Sequence, residues 1–162
     1  MDDGLAGDFK QVAPPSMKLE HSIPVERGLT YRLRYRAKNS IGWGDRSDVL
    51  NALAAEPPAR PSAPTVVSAS GAAVDLAFEE SHDDGGARIT AYELWVSSDY
   101  QAASPTYSQI VGYSDNQMGY TVTSSDGLVP GSFYSFRLRV VNTKGASEFS
   151  EELIVAAAEP VA

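Results

Sequence analysis

The strongest constraint on this chain is the alternation in residues 134–140, where Tyr134, Phe136, Leu138 and Val140 are separated by Ser135, Arg137 and Arg139. An apolar side chain at every second position is the period of a strand with one buried and one wet face. Such a strand belongs to an antiparallel sheet, because parallel sheets are covered on both faces. Its entry is a Pro130-Gly131 turn, in which the proline presets its own φ and the glycine accepts φ > 0 without steric cost. Its exit, over residues 142–145, is a second turn containing Asn142 and Gly145.

This stretch is written twice. A shift of 103 residues lays residues 28–57 on residues 131–160 without a gap, and a repeat of about 100 residues is a domain-sized unit. Gly28, Tyr31, Asn39, Gly42, Ser47 and Leu50 fall on Gly131, Tyr134, Asn142, Gly145, Ser150 and Leu153. The inward positions Tyr31, Leu33, Tyr35 and Ala37 fall on Tyr134, Phe136, Leu138 and Val140. Extending the register backward sets Met17, Leu19 and Val25 on Tyr120, Val122 and Leu128, so the first copy is predicted to hold its fourth to seventh strands only.

The second copy reads as seven short strands. They are expected at residues 65–68, 74–78, 89–96, 107–111 and 120–122, then in the alternating stretch, and lastly at Leu153 and Val155. Seven strands in about 100 residues with no helical period argue an all-β, two-sheet sandwich. Leu76, Phe78, Tyr92, Leu94, Tyr134, Phe136 and Leu138 are its predicted core. Between the copies, the prolines of residues 56–64 favour a short, semi-rigid linker.

A Tyr at the start of such a strand, six residues after Leu128, resembles the tyrosine corner of an immunoglobulin-like β-sandwich. Over its whole length the second copy resembles a fibronectin type III module. The resemblance is carried by Pro61-x-x-Pro64, Val74-x-Leu76-x-Phe78, Asp84-Gly-Gly-Ala-Arg-Ile-Thr-Ala-Tyr92-Glu-Leu94, and Leu128-x-Pro-Gly-x-x-Tyr134 through Asn142-x-x-Gly145 and Ser150. Phe78 stands where the family usually has Trp, and Glu79, Glu80 and Ser81 where a Pro usually follows. In the first copy Asn39-Ser-Ile-Gly-Trp-Gly44 with Ser47 is also typical of the family, and residues 3–12 resemble the hairpin after its third strand. The implied organisation is the C-terminal half of a truncated module at 1–57, a Pro-rich linker at 58–64 and a complete module at 61–160. The expected reason for the half-module is that these residues are a fragment, with Tyr31, Leu33 and Tyr35 facing a sheet that is mostly absent.

Charge narrows the partners. Residues 1–57 carry 8 basic and 8 acidic side chains, and residues 58–162 carry 5 and 13. An acidic surface repels phosphate backbones and anionic lipid, so neither nucleic acid nor membrane insertion is expected of this segment. The absence of cysteine excludes disulfides and thiolate chemistry and leaves the compartment open.

Catalysis needs positioned acid–base groups. His21, on an expected strand, and His82, in a loop, form no site with a nucleophile, so no enzyme activity, cofactor or metal is implied. Glu79, Glu80, Asp83 and Asp84 lack the spaced ligands of a calcium loop, and turn chemistry explains them better. The stripe Arg32, Arg34, Arg36, Lys38 reads as a solvated strand face. Trp95 is expected to point outward with Glu93, where Arg137 or Arg139 from the neighbouring strand can stack over it. Trp and Arg are also the residue types enriched at binding hot spots. Trp95, Arg137, Arg139 and the turn residue Trp43 are therefore the candidate protein-contact surface. The resemblance implies a monomeric, non-catalytic spacer and protein-interaction module of a larger protein, contacting a protein partner or neighbouring modules of its own chain. The alternatives are an accessory module of a secreted multidomain enzyme and part of a receptor ectodomain.

Overall fold

The computed structural model describes residues 1, 8–14, 16–113 and 116–158. It divides into two units, Met1–Glu56 and Pro57–Ala162.

The second unit is an antiparallel sandwich. One sheet has the order β3 (Thr65–Ala69), β4 (Ala73–Ala77), β7 (Gly119–Thr123). The other runs β10 (Leu153–Ala156), β8 (Phe133–Asn142), β5 (Ile89–Ser97), β6 (Ser108–Gln109), with the short β9 (Gly145–Ala146) also on β8. One 3₁₀ turn, Ser124–Asp126, follows β7. All seven predicted core residues are buried, and Phe136, Leu138 and Leu94 have no exposure at all. Burial of a Leu- or Phe-sized side chain contributes about 1.5–3 kcal/mol, so this layer dominates the unit's stability.

The alternation of β8 fails at one place. Ser135 lies on the predicted wet side yet is fully buried, because Tyr107 and Glu152 close over it: its hydroxyl meets Tyr107 Oη at 2.8 Å and donates to Glu152 at 3.1 Å.

Residues 58–64 are not a free spacer. Pro58, Pro61 and Pro64 are buried in the second unit, and their spacing of three places them on one side of a polyproline-like extended chain. Ala59 N–H donates to the Asp83 carbonyl at 3.1 Å, and Arg60 Nε to the Phe149 carbonyl at 2.5 Å.

In the first unit β1 (Thr30–Leu33) pairs with β2 (Leu50–Leu53). The pair reproduces β8 and β10 bond for bond. Thr30 opposes Leu53 as Phe133 opposes Ala156. Gly28 N–H donates to the Ala54 carbonyl at 2.8 Å, as Gly131 does to Ala157 at 2.8 Å. Ser47 N–H donates to Tyr35, as Ser150 does to Leu138, and Asn39 Oδ1 accepts from the Ile41 and Gly42 amides as Asn142 Oδ1 does from Lys144 and Gly145. Both entry glycines have the positive φ that the turn requires, +88° at Gly28 and +79° at Gly131.

The expected fifth strand of this copy does not form among the described residues, and the expected fourth, at residues 4–8 by the 103-residue shift, falls mostly outside them. Met17 and Leu19 are fully exposed, and His21 lies on no strand. The reason is visible in the second unit, where β7 takes all its ladder bonds from β4. No counterpart of β4 occurs among the described residues of the first unit, and a lone strand cannot satisfy its backbone. No strand in the place of β5 flanks β1 among the described residues, and β1 is four residues long with Tyr35 78% exposed, whereas Tyr31 is only 6% exposed. Of the hairpin expected at residues 3–12, residues 3–7 lie outside the described residues. No helix among the described residues is long and apolar enough to cross a membrane.

Candidate protein-contact surface

The pairing of β5 with β8 builds this surface. Its register opposes Glu93 to Arg139 and Trp95 to Arg137, so four outward side chains meet across two central strands. Arg139 Nε donates to Glu93 Oε2 at 2.6 Å, and the Trp95 indole N–H donates to the same oxygen at 3.1 Å. The Arg139 guanidinium lies 4.9 Å from the Trp95 ring centre and 5.0 Å from that of Phe149. Trp95 and Phe149 meet edge to face at 5.6 Å. Trp95 thus points outward under Arg139, as expected, and is half-buried: an indole beside a paired cation sheds water against a second ring.

A second cluster adjoins it on β8. Arg137 stacks over Tyr107 at 4.3 Å and reaches Glu152 at 3.4 Å, while Tyr107 Oη donates to Glu152 at 3.1 Å. Hydrogen bonds from Ser135 and then Tyr107 hold the Glu152 carboxyl below its usual range. Burial is the main cause that pushes the Tyr107 hydroxyl up. Among the described residues Arg137 Nε is buried without a hydrogen-bond partner, which fits a guanidinium held flat on a ring.

The structure thus brings Trp95, Arg137 and Arg139 onto one sheet face. Trp43 belongs to the first unit, where Arg36 stacks over it at 4.3 Å and Lys38 lies 5.4 Å from its ring centre. Sequence reasoning missed Tyr107, Phe149 and Glu152. The first sits just before the edge strand β6 and the other two lie in irregular chain, where no period signals a direction.

The carboxylates of the Asp83-Asp84-Gly85-Gly86 turn cap their own backbone. Asp83 accepts from the Gly85 amide at 2.9 Å and Asp84 from Gly86 at 2.8 Å. Among the described residues no group of three His, Cys, Asp or Glu side chains is placed to hold a metal.

A family profile described as the fibronectin type III domain matches residues 59–156. The chain is similar to human myomesin-2, at 30% identity over 135 residues, which is 78% of this chain and 9% of that protein. Among solved structures it resembles a crystal structure of domains from titin, with a TM-score of 0.57, 26% identity, and coverage of 83% of this chain and 43% of the other. It also shares the fold of the kinase region of twitchin from C. elegans, with a TM-score of 0.53 and 24% identity over 63% of this chain and 17% of the other.

Proposed function

The chain belongs to the fibronectin type III family through residues 59–156, and on that premise we propose that it is a non-catalytic segment of two such modules, a spacer whose complete module offers a protein-contact face. In this reading residues 1–57 are the C-terminal half of a module, and residues 61–160 the complete one with residues 58–64 leading into it. The bond-for-bond repetition of β8–β10 by β1–β2 supports the tandem reading. So does the similarity to myomesin-2, which runs over 135 residues, well beyond one module.

The observation that carries the contact face is the cluster of Trp95, Arg139 and Phe149 on the outer side of β5 and β8. The core on the other side is complete without it, so these large side chains are available for recognition. A protein partner or a neighbouring module of the same polypeptide fits this chemistry better than an anion. The Arg139 charge is already held by Glu93, which leaves aromatic surface with a polar rim.

A photo-crosslinking residue at position 149 of the full chain tests the proposal, with position 67 on the other sheet as control. Adducts to a defined protein from the native host are expected at 149 and not at 67. The same adducts at both positions, or none at 149, would count against the face. An adduct to a catalytic domain of the same polypeptide would favour the accessory-module alternative.

A further inference from the structure

The sheet edges of the second unit are not alike. β3 breaks its ladder with a bulge between Val66 and Ser68. β6 is two polar residues long, Ser108–Gln109, and follows Pro105 closely. β7 ends with both backbone groups of Thr123 held by its own chain: the N–H donates to Asp126 Oδ2 at 3.0 Å and the carbonyl accepts from the Leu128 amide at 3.2 Å. Bulges, very short strands and occupied edge groups keep a sheet from pairing with foreign strands. β10 has none of these. Its residues Leu153–Ala156 include no charge and no proline, pair with β8 without a register shift, and end their sheet.

The free groups of β10 follow from its pairing. Ala157 N–H donates to the Ser132 carbonyl at 2.8 Å and its own carbonyl accepts from Gly131 at 2.8 Å, so Ala157 faces β8. Alternate residues of an antiparallel ladder turn their N–H and C=O to opposite sides, which leaves those of Ile154 and Ala156 toward the open edge. No strand among the described residues pairs there. The side chains are apolar as well. Ile154 is 46% exposed and Phe133, its diagonal neighbour on β8, is 52% exposed, while the inward Leu153 and Val155 are only partly buried. The repeat shows that the strand pair forms without such surface: Thr30 and Asn51 stand in β1 and β2 at the positions of Phe133 and Ile154.

We propose that β10 pairs antiparallel with β10 of a second copy of this chain, about a two-fold axis at Ile154, so that two sheets become one. This departs from the monomer that the family resemblance implies, and it concerns a sheet edge, not the Trp95 face. Two features select a second copy. The first is register: centred on Ile154, the outward groups of Ile154 and Ala156 all find partners, Ile154 opposes Ile154 of the other copy on the outer face, and Leu153 opposes Val155 of the other copy on the inner face. The second is charge. Glu151 and Glu152 precede the strand, and each has a cation of its own copy, Arg60 at 2.8 Å and Arg137 at 3.4 Å. Antiparallel pairing sets them opposite the neutral Ala157 and Ala156 of the other copy, whereas parallel addition would set carboxylate beside carboxylate.

Sedimentation equilibrium of the full chain tests this. The mean mass is expected to rise from 17.3 kDa toward twice that value with concentration. Ile154→Asn installs the residue found at the matching position of the first copy, and Ile154→Pro removes an N–H that β8 does not use. Each should shift association about tenfold or more to higher concentration while the circular dichroism stays that of the wild type. Should the proline variant fail to fold, the asparagine variant decides. The chain has no cysteine, so Ile154→Cys introduces a single thiol. Opposed residues of a hydrogen-bonded pair have Cα atoms about 5.5 Å apart, within the span of a disulfide. Mild oxidation should link Ile154→Cys into dimers and leave Val111→Cys, at an exposed position outside the strands, as monomer. A monomeric mass at every concentration up to the millimolar range, association unchanged by both substitutions, or equal linking at 154 and 111 would each overturn the inference.

Discussion

Tyr31 and Tyr134, 103 residues apart, make the same hydrogen bond: each hydroxyl accepts from the backbone amide five residues upstream, Glu26 and Val129 respectively, at 2.8 Å in both cases. Both rings are buried, at 6% and 5% exposure. The corner is thus a local device. It forms in the first unit even though Tyr35, two positions beyond Leu33 on the same strand face, is exposed.

That independence makes the corner testable. Tyr134→Phe removes the acceptor of the Val129 amide and the donor to the Gly127 carbonyl, and the net loss of such a hydrogen bond costs about 0.5–1.5 kcal/mol. The urea midpoint of the second unit should fall with its denaturant slope unchanged. Tyr31→Phe should leave that transition where it was.

Phe136 lies at the centre of the sandwich with no exposure. Phe136→Ala should cost about 3–5 kcal/mol, transfer and cavity together. A urea melt that barely moved would refute the central position of this ring.

Phe149→Ala removes the ring that covers Trp95. An edge-to-face pair adds about 0.5–1.5 kcal/mol beyond its buried area, so the loss of stability should be modest. In a Trp43→Phe background, which isolates one indole, Trp95 fluorescence should move to longer wavelength as water reaches it. An unchanged spectrum would show that Arg139 alone shields the indole.

Glu152 should shape the acid limb of the stability curve. Its carboxyl is lowered from an ordinary value of 4.5, chiefly by the Ser135 hydroxyl and then by Tyr107. A group depressed in the folded state contributes stability above its unfolded pKa and loses it as pH falls through the folded one. The advantage of the wild type over Glu152→Gln should therefore be full above pH 4.5, its ordinary value, and shrink below it. A constant difference across acid titration would mean that the hydrogen bonds do not favour the ionised form.

Much of the fold was legible in the residues because it is local. The alternation of 134–140, the Pro130-Gly131 turn and the Asn142 turn each depend on a few neighbours, and their repetition at 103 residues makes β1 and β2 readable as well. The pairing of Glu93 and Trp95 with arginines of β8 was also accessible once the sheet order was expected, since alternation sets which face each side chain takes.

What the sequence determined by itself, then, is period: which stretches extend, which faces turn inward and where the chain must turn. Tertiary structure alone decided which partners complete those faces. Met17 and Leu19 have the pattern of a strand and remain exposed, because a strand exists only when a neighbour accepts its backbone hydrogen bonds. Ser135 has the pattern of a wet position and is buried, because Tyr107 and Glu152 arrive from 28 residues before it and 17 after it. Period is written in adjacent residues, whereas closure depends on side chains that only folding brings together.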